Sequence, residues 1–134
     1  YHYRMDSIFT KIINGEIPCY KVAENEQFFA FLDIGPVTEG HTLVIPKKET
    51  DYLFDIEGEE YQALFAFTKQ VAAAIKKSFV CDRVGMTVVG LEVPHAHIHL
   101  MPINSLEDMN FYRDKKELTA NQFEMIAEKI ASNF

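Results

Sequence analysis

Cysteine is scarce in this 134-residue chain: Cys19 and Cys81 stand far apart, with neither a CxxC pair nor a Cys/His ligand spacing around them. That argues against a disulfide framework and points to a reducing, cytoplasmic setting. Positive charge is also in deficit. Thirteen lysines and arginines face 20 acidic residues, for a formal net charge of −7 and a sequence pI near 5.2. Such a balance argues against a partner held through a nucleic-acid backbone. A small anionic ligand stays compatible, because a local pocket can oppose the overall field. No apolar run reaches the roughly 20 residues that a membrane-spanning helix needs, and no signal-peptide pattern opens the chain. Repeats, low-complexity tracts and linkers are missing too. What is present is a composition 48% hydrophobic, enough for one compact domain with its own core. "YHYRM" does not read as a folded element. Met5 before a helix cap reads as the native start, which makes residues 1–4 an appended remnant and residues 5–134 one domain.

Hydrophobic periodicity lays out the elements. "DSIFTKIINGEIP" predicts a short helix capped by Asp6 or Ser7, with Ile8, Phe9, Ile12 and Ile13 on its apolar face and Gly15 and Pro18 ending it. "YKVAEN" and "FFAFLDIG" predict two strands around a turn at Asn25–Glu26, and "HTLVIP" a third that Pro46 closes. Residues 59–79 carry the clearest helix, its stripe formed by Tyr61, Leu64, Phe65, Thr68, Val71, Ala72, Ile75 and Phe79. "RVGMTVVG" and "HAHIHLMP" predict two further strands, and "TANQFEMIAEKIASNF" a final helix capped by Thr119. Paired strands with short turns, separated by a single long helix, favour an α+β fold with a largely antiparallel sheet.

"VPHAHIHLMP", residues 93–102, carries three of the five histidines, one at every second position. Side chains alternate along a strand, so His95, His97 and His99 share one face while Ala96, Ile98 and Leu100 share the other. Three readings stay open. The first is a solvated or hydrogen-bonded strand face. The second is a metal site: same-face neighbours lie about 6.6 Å apart at Cα, so two can chelate one ion, with His41, Glu49, Asp33 or Glu92 as a further ligand. The third is nucleophilic catalysis, in which an oriented imidazole attacks phosphorus and its neighbours stabilise the phosphoryl oxygens. His97, flanked on both sides, is then the natural nucleophile.

These residues resemble the histidine triad (HIT) superfamily in its Hint-like branch. The His-φ-His-φ-His-φ-φ signature stands complete as His95-Ala96-His97-Ile98-His99-Leu100-Met101. "SIFTKIINGEIP" resembles the family's opening helix, and "FFAFLDIGPVTEGHTLVIPKK" its "AF-x-D-φ-x-P-x-x-x-G-H-x-L-V-I-P-K" segment. The match runs over residues 6–102 and leaves the C-terminal helical extension, residues 103–134, unmatched. The resemblance implies a five-stranded antiparallel sheet with two main helices and a C-terminal helix, doubled in a homodimer. It further implies hydrolysis of nucleotide phosphoramidates or dinucleotides, without a cofactor, through a nucleotidyl-histidine on His97. His99 then contacts the α-phosphate and leaving group, and His95 and His41 orient the site. Asp33 holds the ribose, and Ile8, Phe9, Ile12, Phe31, Leu32, Ile34 and Leu43 line the purine pocket. Read alone, Asp33 before a Gly-Pro turn has a purely local role, and the isoleucines of the first helix read as core.

Two positions depart from the family pattern. Where many relatives place Cys-x-φ-Cys and a downstream histidine around a structural zinc, this chain has Ser7, Thr10 and Glu49, a poor zinc set; no metal is expected. Where relatives place a Gln-Ser or Gln-Thr pair before the triad, it has Leu91-Glu92. A carboxylate there repels phosphate unless it turns away, is screened or meets a cationic leaving group. Glu92 is therefore counted with the nucleotide site. The substitution leaves room for a nucleotide-binding or regulatory module with little turnover.

Overall fold

The computed structural model describes residues 6–134, so the expectations about residues 1–4 and Met5 lie outside it. Five strands, β1 (Lys21–Glu24), β2 (Phe28–Leu32), β3 (Thr42–Pro46), β4 (Arg83–Thr87) and β5 (Ile98–Ile103), form one sheet in the order β1-β2-β3-β5-β4. Every neighbouring pair is antiparallel. Three helices complete the α+β fold: α1 (Ile8–Ile13), α2 (Gly58–Ser78) and α3 (Ala120–Ser132). None of them is long and apolar enough to cross a membrane.

The sheet is covered on both faces, which is why "FFAFL" and "TLVIP" are continuously apolar rather than alternating. On one face Phe28, Ala30, Leu32, Val44, Ile98 and Leu100 pack with the buried stripes of α2 and α3. On the other, Phe29, Phe31, Leu43 and Ile45 pack with Phe9 of α1. Each large side chain so buried stabilises the fold by about 1.5–3 kcal/mol before entropy is counted. A six-residue helix such as α1 cannot hold itself in water. It is held by Phe9 and by Ser7, whose side chain caps it through the Thr10 N–H at 3.0 Å.

Several boundaries differ from the sequence reading. Residues 95–97 precede β5 instead of opening it: the His95 N–H turns back to the Val93 carbonyl at 2.8 Å, and the Ala96 N–H bonds Thr50 O at 2.7 Å. Pro94, without an N–H, cannot extend the ladder. The stripe of α2 is rotated, so that Phe67, Ala74 and Ser78 are buried while Tyr61, Phe65, Ala72 and Phe79 are half-buried. The C-terminal extension is helical only in part. A 3-10 turn at Leu106–Met109 leads into an irregular strap before α3, and Thr119 and Gln122 cap that helix with reciprocal hydrogen bonds.

Candidate active site

The entry to β5 lies beside the N-terminus of α1. Phe9 meets the His95 and His97 rings edge-on, with centroids 5.8 and 5.0 Å apart, and His97 lies 5.0 Å from His99. Ala96, Ile98 and Leu100 enter the opposite core. Although only His99 of the three belongs to the strand itself, the histidines are segregated from their apolar neighbours. All three are buried, so protein groups and not water hold them.

Backbone groups fix the imidazole tautomers, because a carbonyl can only accept and an N–H can only donate. His97 donates its Nδ1–H to the His95 carbonyl at 2.7 Å, so the lone pair of the neutral ring sits on Nε2. His95 donates its Nε2–H to Pro46 O at 2.7 Å, and its Nδ1 accepts the Ser7 hydroxyl at 2.8 Å. His41 accepts the Val37 N–H on Nδ1 at 3.1 Å, which puts its proton on Nε2. That Nε2–H donates to His99 Nδ1 at 2.9 Å and leaves His99 with its proton on Nε2. A chain of donors thus runs from the Val37 backbone through two rings to His99 Nε2–H.

Burial keeps this chain uncharged. It lowers His41 from 6.5 to about 3, with further depression from His99, Lys115 and His97. Burial likewise lowers His99 from 6.5 to about 4, with His97 adding to the effect. Asp33 is pushed upward, mainly by burial and against the Gly35 N–H; His97 and Lys115 pull it down while Glu92 pushes it up. One Asp33 oxygen serves the local turn, accepting the Gly35 N–H at 2.8 Å, and the other lies 3.6 Å from His41 Nε2. The loop between them closes through the Asp33 N–H to His41 O at 3.0 Å. It passes through Gly40 at φ +91, where a Cβ would come within 2.6 Å of the Phe79 ring.

Two side-chain clusters among the described residues bring potential ligand atoms together, and in both the donors already serve hydrogen bonds. Asp33, His41 and His99 bring their ligand atoms within 4.8 Å of one another. A metal on His41 Nε2 would force the ring proton onto Nδ1, against the Val37 N–H. Ser7, Thr10, Glu49 and His95 also converge. The Thr10 hydroxyl donates to Glu49 Oε1 at 2.7 Å, the Ser7 N–H to the same oxygen at 2.8 Å, and His95 Nδ1 is 4.0 Å away. These donors bond one another, and hydroxyls with one carboxylate are weak zinc ligands. Ser7, Thr10, Glu49 and His95 thus form a hydrogen-bonded clamp.

Among the pocket residues, Phe9, Phe31 and Leu43 share one cluster, with Ile12 packed against it. Ile8 and Ile34 are 49% and 75% exposed. Leu32 differs from these: it points from β2 into the opposite core, away from the histidine side. Glu92 is exposed on the loop before the triad, close enough for its charge to act on Asp33. Sequence reasoning missed Phe111, whose ring lies 5.0 Å from His99 and 5.9 Å from His41. It stands in an irregular segment that no periodicity marks.

Comparison with known proteins agrees with this fold. The HIT domain pattern matches residues 14–106, and the chain belongs to the HIT family. It is 35% identical over 136 residues to an uncharacterized HIT-like protein of Borreliella burgdorferi, covering 96% of this chain and 98% of that one. It is also 35% identical over 99 residues to the adenosine 5′-monophosphoramidase hnt1 of Schizosaccharomyces pombe, covering 73% and 74%. A crystal structure of a Hit-like protein from Bartonella henselae superposes with a TM-score of 0.84 at 30% identity, covering all of both chains.

Proposed function

We propose that this chain hydrolyses nucleoside 5′-phosphoramidates or related nucleotide conjugates at the α-phosphate, through a nucleotidyl intermediate on His97. The observation that carries the reading is the His97 Nδ1–H bond to the His95 carbonyl, which leaves Nε2 as the reacting nitrogen without a mobile base. Attack forms the Nε2–P bond and breaks the P–N bond, the departing nitrogen taking its proton from solvent. Water then attacks phosphorus, the Nε2–P bond breaks, and the nucleoside monophosphate leaves as protons return to solvent. His99, held by His41 with its proton on Nε2, is the donor to the phosphoryl oxygens. His95 orients His97 through its carbonyl. The Asp33 oxygen not bonded to Gly35 accepts a ribose hydroxyl, while Phe9, Ile12, Phe31 and Leu43, with exposed Ile8 and Ile34, offer apolar surface to a purine. The similarity to a named adenosine 5′-monophosphoramidase supports this choice of substrate.

Glu92 favours a second reading. Its charge acts on Asp33 from the position where relatives place a Gln-Ser pair, and it repels a bound phosphate. Under that reading the chain binds nucleotides with little turnover. Intact-protein mass spectrometry after an acid-free quench with adenosine 5′-phosphoramidate separates the two. A nucleotidyl adduct on the wild type, absent from a folded His97→Ala protein, together with AMP release, supports hydrolysis. AMP binding without adduct or AMP release supports the binding module.

A homodimer through β4 belongs to the same proposal. β4 ends the sheet, Met86 on it is exposed, and Tyr52, Phe54, Val88 and Val89 line a groove nearby. Light scattering gives the mass in solution, and a monomer would overturn this part. The free thiols Cys19 and Cys81 fit a cytoplasmic setting.

A further inference from the structure

The strap between β5 and α3 lies largely beyond the HIT domain match, yet it is fastened to the site. Arg113 donates through Nη2 to Val37 O at 2.9 Å, and the Lys116 N–H donates to Pro36 O at 2.8 Å. Val37 is the residue whose N–H holds His41 Nδ1. At the other end of the strap, Met109 covers Gly85 so closely that a Cβ there would come within 2.8 Å of its sulfur. Between these fastenings the Phe111 ring makes T-shaped contacts with both members of the His41–His99 pair, with interplanar angles of 77° to each. T-shaped contacts between an aromatic ring and an imidazole favour one orientation, and the ring's bulk displaces water from the bond between the two histidines.

We propose that Phe111 is a positioning residue for the reaction, holding His41 and His99 in hydrogen-bond register and shielding their bond from solvent. This rests on the hydrolase reading for its kinetic consequence but not for its structural one. Water admitted beside the pair would stabilise the charged rings and let His99 take a second proton. It would then no longer accept from His41, and the donor chain from Val37 would break. The groups facing His99 are His97 on its own segment, His41 just before β3, Asp33 just after β2 and Phe111. Lys115, whose ammonium bonds the carbonyls of Phe111 and Arg113, adds positive charge from the strap. All of them stay in place when only the Phe111 ring is cut back, so a change in titration reports the ring.

The test is a side-chain 15N NMR titration of the full chain, comparing wild type with Phe111→Ala, Phe111→Leu and Arg113→Ala. The kcat and KM for adenosine 5′-phosphoramidate are followed against pH alongside. Phe111→Ala is expected to raise the His99 midpoint by about one pH unit. It should lower kcat roughly tenfold while KM stays within about twofold. Phe111→Leu, which restores bulk, returns most of both effects. Arg113→Ala, which frees the strap from Val37, shifts the midpoint in the same upward direction. An unmoved His99 midpoint in a folded Phe111→Ala protein overturns the proposal, as does a Leu variant that titrates like the Ala variant. Should Phe111→Ala not fold, an unmoved midpoint in Arg113→Ala is the overturning result. A wild type that never turns over the phosphoramidate defeats the hydrolase reading alone, because the titration needs no substrate.

Discussion

Replacing Glu49 by alanine removes an acceptor that ties α1 to the segment after β3. Its Oε1 receives the Ser7 N–H at 2.8 Å and the Thr10 hydroxyl at 2.7 Å, and the side chain is only 15% exposed. Hydrogen bonds to a charged group contribute about 1.5–3 kcal/mol each. Water can reach part of the vacated site and recover part of that, so the expected loss is about 2–4 kcal/mol. Phe9 gives the loss a second consequence, since it touches both the His95 and His97 rings and depends on α1 for its position. Affinity for AMP should therefore fall along with stability. Urea denaturation by linear extrapolation measures the first effect and calorimetry with AMP the second. Glu49→Gln keeps an acceptor oxygen and should lose about half as much. A Glu49→Ala protein within about 0.5 kcal/mol of wild type would show that Phe9 burial and the Ser7–His95 bond anchor α1 without Glu49, and its part in the clamp would be refuted.

Asp33→Asn should weaken AMP binding by about tenfold with little change in the urea midpoint; equal affinity would limit Asp33 to its bond with Gly35. Acid should destabilise the fold in a defined window. Between the ordinary 6.5 and folded values of about 3 for His41 and about 4 for His99, the unfolded chain binds more protons, so stability falls as pH is lowered. The linkage relation gives about 3 kcal/mol for each ring by about pH 4. The raised Asp33 opposes the trend just above its ordinary range. Thermal melts followed by circular dichroism would contradict these assignments if stability stayed flat from about pH 7 to about pH 4. Gly40→Ala combines a positive φ of 91° with a Cβ 2.6 Å from Phe79, and should cost about 1–3 kcal/mol by urea denaturation. A neutral result would mean that the loop before His41 can re-form around the added methyl group.

Local patterning carried the sequence reading furthest where one residue type had one job. The paired strands, the long helix and the Thr119 cap follow from periodicity and side-chain chemistry, and the five-stranded antiparallel sheet is where that pattern leads. Periodicity failed where a helix is covered from two directions: α3 and the sheet together bury Phe67 and Ala74 of α2, which a single stripe leaves out. It failed for Leu32 for the opposite reason. An apolar residue on a strand buried on both faces carries no mark of which side it serves, and only register assigns Leu32 to the core under α2 and α3. Phe111 had no signal at all, since its partners are 70 and 12 residues away in the chain (111 − 41 and 111 − 99) and nothing periodic surrounds it.

The histidines raise a sharper question, because alternation gave the correct segregation for a segment that is mostly not strand. Pro94 and the turn at Val93 delay entry into the sheet until Ile98. What keeps His97 beside His99 is therefore not the ladder but the bond from the His97 ring to its own chain at His95 O. The same bond sets the tautomer, with the lone pair on Nε2. His41 repeats the device, its ring held by the Val37 N–H four residues earlier. In both cases a backbone group, which mutation of a side chain cannot remove, chooses the proton position. Tautomer choice is thereby coupled to folding rather than to any neighbouring acid. With backbone groups choosing both tautomers, the second Asp33 oxygen, 3.6 Å from His41 Nε2, is not needed to place a ring proton, and the proposed ribose contact draws on it.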